Sequence, residues 1–137
     1  MKKQFWTITF AVILFASCND NNDYDISLRI NGITEINVGE TVGNARHNLS
    51  LRVEKINDSR CNVEGLLCVW AGNATVELHL TTKNGQHDFT LDTHPGGSFR
   101  NDTIIESIKY SLVNVLPERR VSFDERGETA VIRTEHQ

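Results

Sequence analysis

Apolar and polar residues alternate with period two along several stretches of the chain, the pattern of strands with one face buried. Ile26, Leu28 and Ile30 alternate with Ser27 and Arg29; Leu49, Leu51 and Val53 alternate with Ser50, Arg52 and Glu54. Ala74, Val76, Leu78 and Leu80 alternate with Thr75, Glu77 and His79; Ile108, Tyr110 and Leu112 alternate with Lys109 and Ser111. A last short run covers Ala130 to Arg133. Asn31-Gly32, Asn84-Gly85, Pro95-Gly96-Gly97 and Arg126-Gly127 punctuate the runs, and both prolines (Pro95, Pro117) stand where strands stop. Asn84-Gly85 predicts a hairpin on a type I′ turn. That turn sets Lys83 opposite Gln86, Thr82 opposite His87, Leu80 opposite Phe89 and Leu78 opposite Leu91. One face then carries Leu78, Leu80, Phe89 and Leu91, the other Glu77, His79, Thr81, Asp88 and Thr90. The expected fold is all-β: an antiparallel β-sandwich or small barrel over residues 26–137.

The first 25 residues do not follow this pattern. Met1-Lys2-Lys3 is a basic start, and Phe5 to Ala16 is mostly apolar. As a helix this stretch would be about 18 Å long, too short for a hydrocarbon core of about 30 Å, so residues 1–17 read as a secretion signal. Phe15-Ala16-Ser17-Cys18 resembles the lipobox of bacterial lipoproteins, in which small residues precede an acylated cysteine. Phe15 stands where that motif usually has Leu. The resemblance implies lipidation at Cys18; a plain secreted protein cleaved near Ala16 is the alternative. Residues 18–25 are polar and acidic and read as a flexible tether. Acidic residues just after the cysteine also resemble the surface-export signal of Bacteroidetes lipoproteins.

Charge narrows the partners. Removing Lys2 and Lys3 leaves 12 basic against 18 acidic residues, a net −6 for the processed chain. This disfavours nucleic acid and gives no electrostatic attraction to anionic headgroups. Membrane attachment is then expected through the lipid, placing a monomer in the cell envelope, tethered to the outer membrane, facing the periplasm or the outside.

The three cysteines are consistent with export. If Cys18 is acylated, Cys61 and Cys68 remain and should pair in an oxidising compartment. They bracket a distinctive segment, Asp58-Ser59-Arg60-Cys61 followed by Cys68-Val69-Trp70-Ala71-Gly72. The segment resembles an uncharacterised bacterial family of secreted proteins and lipoproteins that carries D-S-R-C, a short loop, then C-x-W-A-G between two strands. Asn62 stands where that family often has Pro. Ile108 to Leu112, followed by Leu116-Pro117, is similar to the family's penultimate strand. The resemblance implies topology and no activity.

Two readings of this segment compete. In the structural one, Trp70 packs on the disulfide, Gly72 permits a tight bend and Asp58 or Arg60 hydrogen-bonds the loop. In the other, Leu66 and Leu67, with Trp70, form a preorganised binding loop for a protein or glycan, or plug a protease cleft.

No catalytic constellation stands out, and the chain reads as a non-enzyme without cofactor or metal. An oxidised Cys61–Cys68 pair offers no thiol nucleophile. Ser59 lacks a G-x-S-x-G setting. His79 and His87 fall on opposite hairpin faces, and His47, His94 and His136 read as surface residues. Asp92 and Asp102 flank a glycine-bearing loop but lack the acidic spacing of a calcium site. Asp102-Thr103-Ile104 resembles a short O-glycan acceptor pattern. The expected role is binding or structural support in the envelope, with protease inhibition through the 61–68 loop as the alternative.

Overall fold

A computed structural model describes residues 27–122 and 124–137. The expected signal sequence, Cys18, the expected tether and Ile26 lie outside the described residues. Among the described residues, eight strands form two four-stranded antiparallel sheets. They are β1 (Gly32–Asn37), β2 (Thr41–Asn44), β3 (Leu49–Asp58), β4 (Ala74–Thr82), β5 (Gly85–Asp92), β6 (Asp102–Ile105), β7 (Ile108–Leu116) and β8 (Thr129–His136). One sheet has the order β2-β3-β4-β5, the other β1-β8-β7-β6. Each crossover, β1 to β2 and β5 to β6, joins edge strand to edge strand, and the first and last strands pair. The architecture is the sandwich rather than the barrel.

Inward side chains of the two sheets form a single core. β4 supplies Ala74, Val76, Leu78 and Leu80 at the alternation read from the sequence. β3 and β7 alternate only in part. Leu49, Leu51 and Val53 point inward, then a bulge between Val53 and Lys55 moves the next inward position to Ile56. A second bulge, between Leu112 and Asn114, moves the sequel of Ile108, Tyr110 and Leu112 to Val115. An extra residue on one strand reverses the facing of everything after it, so each run breaks in sequence while the strand continues.

Two sequence expectations need correction. The hairpin pairs Thr82 with Gly85, Leu80 with His87, Leu78 with Phe89 and Val76 with Leu91, a register two residues away from the one expected. A type I′ turn needs positive φ at both central residues, and neither Lys83 nor Asn84 has it. The Thr82 hydroxyl instead accepts the N–H groups of Asn84 and Gly85 and anchors the turn one residue earlier. A shift of two keeps every side chain on its face, so the apolar sorting survives. The second correction concerns residues 26–30. The described part is not a regular strand: Ser27 makes one parallel bridge to Gly43, Leu28 is fully buried, and β1 begins at Gly32.

Candidate functional site

The segment that links β3 to β4 projects from one end of the sandwich. Its base continues the ladder. Ser59 donates its N–H to the Asn73 carbonyl at 2.8 Å, and Cys61 donates to Ala71 at 2.7 Å. Cys61 and Cys68 are disulfide-bonded, with Cα atoms 6.2 Å apart. Gly72 has φ 72°, and a Cβ there would collide with the Ser59 carbonyl oxygen and lie 2.8 Å from Arg60 Cα. The tight bend therefore requires glycine.

Beneath the loop lies a polar clasp. The Asp58 and Arg60 side chains are 0 % and 7 % exposed. The Arg60 guanidinium grips the Asp58 carboxylate with two hydrogen bonds, Nε to Oδ1 at 2.8 Å and Nη2 to Oδ2 at 2.7 Å. It also donates to the carbonyls of Val115 (2.7 Å) and Pro117 (3.2 Å) beyond the end of β7. Asp58 accepts the Gly127 N–H at 3.1 Å. Burial pushes the Asp58 carboxyl pKa up, but the hydrogen bonds and charge of Arg60, aided by Arg120, outweigh it and hold the group below its ordinary 3.8. Arg120, also buried, bonds the Arg60 carbonyl, the Asn62 side chain (2.5 Å) and the Glu125 carbonyl (3.1 Å). A parallel bridge between Val63 and Arg120 completes the tie between the two connections. Neither Arg120 nor Gly127 stands out in the sequence as a site residue. Their roles depend on contacts 60 and 69 positions away in sequence.

The tip of the loop is apolar and faces solvent. Leu66 is 46 % exposed, Leu67 103 %, Val69 109 % and Trp70 71 %. Trp70 is not buried against the disulfide as the structural reading expected but stands largely in solvent, while the Arg60 and Arg120 guanidinium groups make the buried contacts at the base of the loop. Asp58, Arg60 and Gly72 do hold the loop. From Gly65 to Gly72 no residue is charged. The groove beside the tip, about 370 Å³, is lined by Asn62, Glu64, Glu118 and Arg119 as well as Val63 and Leu66. The apolar surface is thus a convex tip rather than the floor of a cleft.

The other candidate groups do not converge. His79 bonds Asp88 at 2.5 Å on an outer face, and His87 lies on the opposite hairpin face, 3.8 Å from Glu106. His47, His94 and His136 are exposed. Asp92 is buried with its carboxylate committed to Asn73, Thr75 and the Arg100 N–H, whereas Asp102 pairs with Lys109 at 3.0 Å. These two aspartates therefore serve loop and strand contacts separately. No group of three His, Cys, Asp or Glu side chains is placed to hold a metal among the described residues.

No protein-family model matches the chain, and comparison with curated proteins and with solved structures returned no similar protein.

Proposed function

We propose that this is a lipid-anchored envelope protein with a binding or structural accessory role, and that the disulfide-closed loop after β3 is its contact element. One observation carries the reading: four large apolar side chains, Leu66, Leu67, Val69 and Trp70, stand in solvent on a frame fixed by a disulfide and a buried ion pair. Exposing a contiguous apolar group has no benefit for folding and marks a contact site. A loop already fixed loses little conformational entropy on binding. The N-terminal signal and Cys18 supply the tether, and the lipobox and D-S-R-C resemblances agree with an exported lipoprotein.

The test is cross-linking in intact cells followed by affinity capture. Wild type is compared with a Leu66→Asp, Leu67→Asp variant, which alters only exposed positions. Material captured by wild type and lost in the variant supports a contact element. Identical capture from both would overturn it and leave the segment a structural clasp.

Protease inhibition is the second reading, favoured by the full exposure of Leu67 next to the bridged Cys68. It predicts tight inhibition of a protease accepting a large aliphatic residue, lost on reduction. A panel of such proteases left uninhibited would remove it.

A further inference from the structure

We infer that the Leu66–Trp70 tip seats in the interfacial layer of the same bilayer that holds the Cys18 lipid, so that the domain touches its membrane at two points. The inference rests on the lipid-anchor reading above and names what the tip contacts.

The chemistry of the tip is the first argument. Three aliphatic side chains and a tryptophan project from a stretch with no charged residue. Tryptophan favours the headgroup level of a bilayer, where its ring is half in hydrocarbon and its N–H remains hydrated. A convex apolar tip suits shallow insertion, about 5–10 Å deep. Backbone polar groups are costly in lipid unless bonded. Part of this cost is met within the loop, where the Leu66 N–H donates to Val63 and the Cys61 N–H to Ala71.

The direction of the chain is the second argument, independent of the first. Ser27 bridges Gly43 in parallel, and Gly43 pairs with Ser50. β2 runs antiparallel to β3 and so away from the loop-bearing end. At Ser27 the chain therefore runs in the same sense as β2, with its N-terminal side towards that end. The eight steps of β3 from Ser50 to Asp58 cover about 27 Å. The nine steps from Cys18 to Ser27 reach at most about 30 Å. The tether thus reaches at most about the level of Asp58, at the base of the loop and short of its tip, so lipid and tip meet one surface with the sandwich tilted on the bilayer.

The third argument is charge. A processed chain of net −6 has no general attraction to anionic lipid, so the contact is apolar and insensitive to salt.

The processed chain contains one tryptophan, since Trp6 belongs to the signal sequence. Its fluorescence therefore reports on Trp70 alone. The lipoprotein is purified from membranes, its acyl mass is measured on the intact chain, and it is reconstituted into phosphatidylethanolamine–phosphatidylcholine vesicles with or without brominated acyl chains. The expected result is an emission blue-shifted from that of the Leu66→Asp, Leu67→Asp variant, and bromolipid quenching severalfold stronger than in that variant. Both effects should be unchanged by high salt. A Val69→Ser variant should fall between the two. Acylated protein whose Trp70 keeps a solvent-like emission and ignores bromolipid overturns the inference while the anchor stands. Protein without the acyl mass overturns both. A shift that appears only when envelope proteins are added overturns the inference in favour of a protein partner.

Discussion

Replacing Arg60 by Met should be among the most damaging single changes available at the end that bears the loop. The methionine retains much of the side-chain volume but removes two hydrogen bonds to Asp58 and those to the carbonyls of Val115 and Pro117. It leaves the Asp58 carboxylate, whose side chain is 0 % exposed, with only backbone donors from Arg60 and Gly127. Removing one partner of a buried ion pair costs about 3–5 kcal/mol, largely through the stranded charge. Domains of this size have about 5–15 kcal/mol in total. With a urea dependence of about 2 kcal/mol per molar, the unfolding midpoint should fall by about 1.5–2.5 M. The assay is equilibrium urea unfolding of the oxidised protein followed by circular dichroism. Arg60→Lys should recover little, because an ammonium cannot span the carboxylate and the two carbonyls. Adding Asp58→Leu to Arg60→Met should restore part of the loss by removing the stranded charge. A midpoint shift below about 0.5 M for Arg60→Met, which is about 1 kcal/mol on the same slope, would refute the clasp as the device that fixes the loop.

The remaining predictions concern pH, the core and the loop frame. The Asp58 pKa lies below its ordinary 3.8 in the folded chain, so its contribution is complete above the unfolded value of about 3.9 and is lost as pH falls through the folded value; Asp58→Asn should be less stable at neutral pH and flatten the acid limb of an unfolding-versus-pH curve below about pH 4. Tyr110 is fully buried, its hydroxyl has no hydrogen-bond partner among the described residues, and burial together with the Glu106 charge pushes its pKa up to about 12. Tyr110→Phe should therefore be neutral or stabilising by about 1 kcal/mol in thermal unfolding, and a loss above about 1 kcal/mol would mean the hydroxyl has a role in the fold. Gly72→Ala should cost at least about 2 kcal/mol, because it combines a left-handed φ with a clash against the Ser59 backbone; calorimetry would detect it as a lowered midpoint. Replacing Cys61 and Cys68 together by Ala should cost about 2.5 kcal/mol by loop-closure entropy for so short a loop, yet hydrogen exchange should still find the Asp58–Arg60 clasp closed.

The strands that the sequence makes legible are those that bury one clean face. In β4 the alternation of Ala74, Val76, Leu78 and Leu80 runs through the element without a break. β3 and β7 can be read only to their bulges, at Val53 and Leu112, since the inserted residue throws Ile56 and Val115 out of phase. β1 escapes for a different reason: Thr34 points into the core while Ile33 is 43 % exposed, which inverts the usual pattern. The buried hydroxyls at this place are satisfied by one residue, Thr34 accepting from the Arg29 N–H and Thr134 donating to the Arg29 carbonyl. β2 and β6 are four-residue edge strands, too short to carry a period. At the loop, the disulfide and the bend at Gly72 could be read locally. The ties that hold the base of the loop could not, because Arg120 and the β7–β8 connection reach Asn62 and the Arg60 carbonyl from distant positions in the chain.

The central claim, that the loop after β3 is the part of this protein that touches something else, is tested most directly by site-specific photo-cross-linking in living cells. A photoreactive residue is placed in turn at Leu67 and Trp70 on the tip, at Lys83 on the opposite end of the sandwich, and at Val38 and Phe99 on other exposed surfaces. The account predicts abundant adducts from positions 67 and 70 and background yields from the other three, with lipid as the adduct if the tip seats in the bilayer. Adducts as strong from 83, 38 or 99, or none from 67 and 70, would contradict it.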